Sequence, residues 1–117
     1  MPKYIWISLR QFIEQATAKT GYDQLDQSAQ RLLEWLLKRQ ESAPADAIYI
    51  QTVVMRSDIA SPATIFKLIN LLAEKKLITV TTDLADARRK RILVTDKAIA
   101  QLRELSRLAS DWAKKNR

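Results

Sequence analysis

The chain has 117 residues, enough for one domain with a modest core. Its 47% apolar and 28% charged content excludes a disordered tail, and the absence of Cys and His excludes disulfides, thiol nucleophiles, zinc fingers and His-dependent triads. The net charge of +7 lies wholly in residues 61–117, with thirteen Lys/Arg against six Asp/Glu, whereas residues 1–60 carry seven of each, so a polyanionic partner is expected at the second half.

One Gly and three Pro leave few breakers, which favours helices over a turn-rich sandwich. In the first segment Ile5, Leu9, Phe12 and Ala16 recur at spacings of four and three, with Trp6 and Ile13 beside them. This predicts an N-terminal helix over 3–20, ended by Thr20-Gly21. Asp26 caps a second helix that buries Ala29, Leu32, Leu33, Leu36 and Leu37. Glu41 to Asp46 read as a loop around Pro44. Ile48, Tyr49 and Ile50 then form a brief extended entry to a short third helix, about Gln51 to Arg56, and Ser57 to Ala60 make the connecting turn.

Ser61 caps a fourth helix and Pro62 takes its first position, where the missing N–H costs nothing. The helix runs to about Lys75, with Ile65, Leu68, Ile69 and Leu72 inward and Ala63, Thr64, Phe66, Lys67 and Asn70 outward. Leu77–Thr82 and Arg91–Thr95 are predicted strands, joined by a loop over Asp83–Lys90 that lacks the Gly of a tight turn. Asp96 caps a last helix to about Lys115, whose Ala98, Leu102, Leu105, Ala109 and Trp112 form a heptad-like seam.

Three groups carry the functional reading. The first is the short helix, turn and Ser61 helix, the order of a helix-turn-helix, whose second helix places its N-terminal residues at base edges. Thr64 and Lys67 suit bases or phosphates. Phe66 packs either on a thymine methyl or in the core. The second is Arg88-Arg89-Lys90-Arg91, which either grips a duplex, with Asp86 holding one arginine, or is a solvated basic loop. The third is the apolar surface of the terminal helices (Ile5, Trp6, Leu9, Phe12, Leu102, Leu105, Ala109 and Trp112), which either packs within the chain or joins two copies.

The expected fold class is mainly α with a small β-hairpin: a winged helix-turn-helix flanked by N- and C-terminal dimerisation helices. We expect a single domain over 1–117, with the N-terminal helix at 3–20, a DNA-binding core at 25–95 and the C-terminal helix at 96–115. Catalysis is not expected, since the sequence has no paired carboxylates on an apolar face, no Gly-rich phosphate loop and no Ser with a base partner. No cofactor or metal is expected either. The start lacks a signal-peptide pattern and no run is long enough to span a membrane, so the expected location is cytoplasmic.

Leu25 to Leu33, Ile59 to Thr64, Leu72 to Ile78 and Asp86 to Lys97 resemble the MarR family of bacterial transcription regulators. The most specific piece is the wing pattern, an Asp, an Arg two residues on, and an apolar strand ending in Val94-Thr95-Asp96-Lys97. The resemblance implies a homodimer that binds palindromic operator DNA, usually as a repressor. It implies that Ala63, Thr64, Phe66 and Lys67 hold reading positions and that Arg88 enters the minor groove with Asp86 as its orienting partner. Small phenolic or aromatic effectors are also implied, with no pocket for one recognisable in the residues. The chain departs from the family in three ways. Lys76 and Ala98 stand where Gly is frequent, Ala63 and Phe66 where small hydroxylated residues are usual, and one helix follows the wing where two are general. The main alternative is a winged-helix protein-interaction module within a larger assembly, in which Phe66 and the terminal aromatics form the docking surface.

Overall fold

The computed structural model describes residues 3–55 and 58–117. The elements are α1 (Ile5–Thr20), a 3₁₀ turn (Tyr22–Gln24), α2 (Gln27–Ser42), β1 (Ile48–Tyr49), α3 (Ile50–Val54), α4 (Pro62–Glu74), β2 (Ile78–Thr82), β3 (Lys90–Val94) and α5 (Asp96–Lys115). The fold is the mainly helical winged helix-turn-helix expected, with a three-stranded sheet in place of a simple hairpin. No described helix is long and apolar enough to cross a membrane. Packing divides the chain into two units, one of Asp26–Ile99 and one of residues up to Leu25 with Ala100–Arg117.

In the larger unit, side-chain caps start α2 and α4. The Asp26 carboxylate accepts from the Ala29 N–H at 2.8 Å, and the Ser61 hydroxyl accepts from the Thr64 N–H at 3.4 Å with Pro62 following it. Ala29, Leu32, Leu33 and Leu36 of α2 close on Ile65, Leu68, Ile69 and Leu72 of α4, all buried. Val53, Ile48, Ile78, Ile92, Val94 and Ala98 complete this core. Each of these Leu, Ile and Val side chains contributes about 1.5–3 kcal/mol through removal from water. Leu37, expected inside, is only half-buried at the edge of the α2 face.

The sheet order is β1-β3-β2, antiparallel throughout. The brief extended entry at Ile48 is thus a true strand, pairing Ile48 with Ile92 and Tyr49 with Arg91. Because β1 is only two residues long, the Val94 N–H finds its acceptor outside the sheet, on Gln40 Oε1 of α2 at 2.8 Å. β3 begins at Lys90 rather than Arg91 and β2 at Ile78 rather than Leu77, so the connecting loop is 83–89. α2 runs through Glu41 and Ser42 before the Pro44 loop. α3 starts at Ile50 and ends at Val54; the expected end at Arg56 and turn at Ser57 lie outside the described residues.

Lys76 takes φ 62°, the left-handed conformation that ends α4. Its N–H donates to the Ala73 carbonyl and the Leu77 N–H to the Leu72 carbonyl, both at 3.0 Å. Thr95 Oγ1 donates to the Lys76 carbonyl at 2.7 Å and Lys97 Nζ to the Lys75 carbonyl at 2.9 Å. The cap of α5 is Thr95, whose hydroxyl accepts from the Ala98 N–H at 3.3 Å. Asp96, expected as the cap, is instead the first helical residue, where its charge complements the helix dipole.

The smaller unit holds α1 from Ile5, the 3₁₀ turn and most of α5. Gly21 ends α1 at φ 78°, and Gln101 Nε2 donates to the last α1 carbonyl, that of Thr20, at 2.9 Å. Ala16, Tyr22 and Leu25 are buried. Phe12 and Trp112 stack with ring centroids 5.7 Å apart.

Candidate nucleic-acid interface

Helix α4 presents two faces because its apolar residues recur every three to four positions. Ile65, Leu68, Ile69 and Leu72 anchor it, leaving Ser61, Pro62, Ala63, Thr64, Phe66, Lys67 and Asn70 exposed. Phe66 is 50% exposed and is therefore not a core residue. Thr64 Oγ1 accepts from the Ser61 hydroxyl at 3.0 Å, which fixes the first-turn side chains relative to the cap.

The wing supplies the cations. Asp86 Oδ1 accepts both the Arg88 backbone N–H at 3.1 Å and its Nε at 3.3 Å. Yet the Arg88 side chain is 92% exposed, so the carboxylate orients the guanidinium without covering it. A groove of about 600 Å³ runs between wing and helix, lined by Phe66, Ile69, Asn70 and Ala73 of α4, Val80 of β2, Arg88 and Lys90 of the wing, and Ile50 and Gln51 of α3. Among the described residues, no acidic one lines it.

The basic run is divided by the pleat of the sheet. Residues directly opposite across a ladder share a face, and successive residues alternate. Ile92, on the core side, pairs with Ile48 and Val80, so Lys90 points the same way, toward the groove. Arg91 pairs with Tyr49 and Thr81 and points to the outer face, with Leu93. The Arg89 guanidinium lies on the Tyr49 ring, 3.5 Å from its centroid. Of the residues singled out in the sequence, the groove therefore gathers Phe66, Asn70, Arg88 and Lys90. Ser61, Pro62, Ala63, Thr64 and Lys67 lie on the exposed start of α4, and Arg89 and Arg91 lie outside the groove lining. Sequence reasoning missed Tyr49, Gln51 and Val80. A Tyr between two isoleucines before a helix was the available sign for the first, but its partner lies 40 residues on.

The residues proposed for dimer contact all lie on the terminal helices. Trp6 is 65% exposed and Ala109 is exposed, while Ile5, Leu9, Phe12, Leu102, Leu105 and Trp112 are half-buried. Phe12 and Trp112 face each other within the chain. Among the described residues no group of three His, Cys, Asp or Glu is placed to hold a metal ion.

No protein-family model and no curated protein matches the sequence. Solved structures do match. The Staphylococcus aureus MepR–DNA complex superimposes with a TM-score of 0.75 at 19% identity, covering 97% of this chain and 86% of that one. A MepR mutant bound to an oligodeoxyribonucleotide gives 0.73 at 19% identity, covering 96% and 78%. This chain has the fold of MepR. MepR bound to ethidium bromide matches at 0.67, also at 19% identity, over 98% of this chain and 79% of that chain. MepR is a MarR-family winged-helix regulator, so the fold implied by the sequence resemblance is the fold observed.

Proposed function

We propose that this chain is a DNA-binding transcriptional regulator, a homodimeric repressor that reads a palindromic operator through α4 and the 83–91 wing. The observation that carries this reading is the groove shared by the outer face of α4 and the wing cations Arg88 and Lys90, with no acidic group among its described lining residues. The MepR–DNA complex supports it, since the same fold meets DNA there. In this reading Ser61, Pro62, Ala63, Thr64, Phe66 and Lys67 enter the major groove, with Asn70 one turn further along. Arg88, aimed by Asp86, enters the minor groove, and phosphate neutralisation supplies most of the affinity. A second copy covers the terminal helices, where Trp6, Ile7 and Ile13 each keep about half or more of their surface in water.

Anisotropy of a labelled duplex across a salt series, with mass in solution measured alongside, tests this. We expect a dimer whose affinity falls steeply with salt. Arg88→Ala weakens binding to most sequences, whereas Thr64→Ala and Lys67→Ala alter the sites selected from a random duplex pool. A monomer indifferent to DNA overturns the reading and favours a protein-docking module built on Phe66.

A further inference from the structure

The 83–89 loop hangs from a narrow neck. The Asp83 N–H donates to the Arg89 carbonyl at 2.8 Å, joining the first and last residues of the loop. Both of their side chains bear on one ring from β1. The Arg89 guanidinium stacks on Tyr49 at 3.5 Å, and the Tyr49 hydroxyl donates to Asp83 Oδ2 at 3.4 Å. Asp83 is a buried charged residue, only 9% exposed. Tyr49 ends β1, and the next two residues, Ile50 and Gln51, begin α3 and line the groove. A single aromatic ring thus ties the neck of the wing to the entry of the helix pair.

We propose that Tyr49 is a positioning residue for DNA, and that Arg89 serves it as a clamp rather than contacting phosphate. This inference rests on the DNA-binding reading above. The physical basis is division of labour within Arg88-Arg89-Lys90-Arg91. Four adjacent cations repel one another, and stacking one on an aromatic face removes it from the cluster while fixing the loop. Arg88 and Lys90 are then held on the groove side before DNA arrives, which lowers the ordering cost of binding. The run therefore delivers fewer phosphate contacts than its charge suggests.

The test has a DNA-free arm and a DNA arm. Without DNA, Tyr49→Leu speeds amide hydrogen exchange at Asp83 and Arg89 about tenfold, with the Ile92 amide as an unchanged reference, while Tyr49→Phe, which keeps the ring face and loses only the hydroxyl bond to Asp83, speeds it less than Tyr49→Leu. With a labelled random-sequence duplex, Arg88→Gln and Lys90→Gln each lower the slope of log affinity against log salt by about 1.8, the value of two phosphates, because a bound dimer carries each substitution twice. Arg89→Gln and Tyr49→Leu leave that slope unchanged and weaken binding about tenfold at every salt, and the double variant is no weaker than either single one. The same loss of slope in Arg89→Gln, or unaltered loop exchange in Tyr49→Leu, overturns the inference while leaving the DNA-binding reading intact. A parent chain that ignores the duplex overturns both.

Discussion

Lys76 is, among the described residues, the non-glycine residue with a positive φ, at 62°. An L-residue in this conformation sits about 1–2 kcal/mol above the right-handed helix because Cβ crowds the following carbonyl oxygen. Lys76→Gly removes that crowding and returns about 0.5–1 kcal/mol through the greater freedom of the unfolded chain, for a net gain of about 0.5–1 kcal/mol. The backbone bonds at this turn are untouched: Lys76 N–H to Ala73, Leu77 N–H to Leu72, and Thr95 Oγ1 to the Lys76 carbonyl. The Lys76 side chain is exposed, so no core packing is lost. For a chain of this size the gain raises the thermal midpoint by about 2–5 °C, measured by circular dichroism with urea melts as the check. Lys76→Ala separates conformation from charge, since Ala keeps the crowding, and is expected within about 0.5 kcal/mol of the parent. A Lys76→Gly protein no more stable than Lys76→Ala refutes the strain argument.

Leu36 is wholly buried in the α2 face, so Leu36→Ala is expected to cost about 2–5 kcal/mol, read as a lowered urea midpoint; a loss below about 1 kcal/mol would show that the site collapses or is not core. In α5, Arg107 donates two hydrogen bonds to the Glu104 carboxylate, at 2.6 and 3.1 Å, and this holds the Glu104 pKa below its ordinary value. A depressed carboxylate stabilises the fold above its unfolded pKa and loses that contribution as pH falls through the folded one. Arg107→Gln should therefore raise the Glu104 titration followed by carboxyl NMR, and an unchanged midpoint would dismiss the pair. The effect on stability is small, because both groups stand in solvent.

The helices were legible in the sequence because their signals are local. Apolar spacing, Asp26, Ser61-Pro62 and Gly21 act within a turn or two of the residues they organise, and the buried and exposed faces of α4 follow from the period alone. The same locality explains the near misses. Thr95 and Asp96 are adjacent and equally suited to cap α5, and only the turn that lets the Thr95 hydroxyl reach both Ala98 and Lys76 distinguishes them.

Tertiary structure decided what depends on partners distant in the chain. A two-residue strand has too few positions to show alternation, so β1 exists only by virtue of its pairing with Ile92 and Arg91. The β2–β3 ladder, with Thr82 opposite Lys90 and Thr81 opposite Arg91, sets the register that sends Lys90 toward the groove and Arg91 away from it. In sequence the four cations are equivalent neighbours; pleating and one tyrosine ring make them different, because direction in a strand is fixed by the ladder and not by the residue.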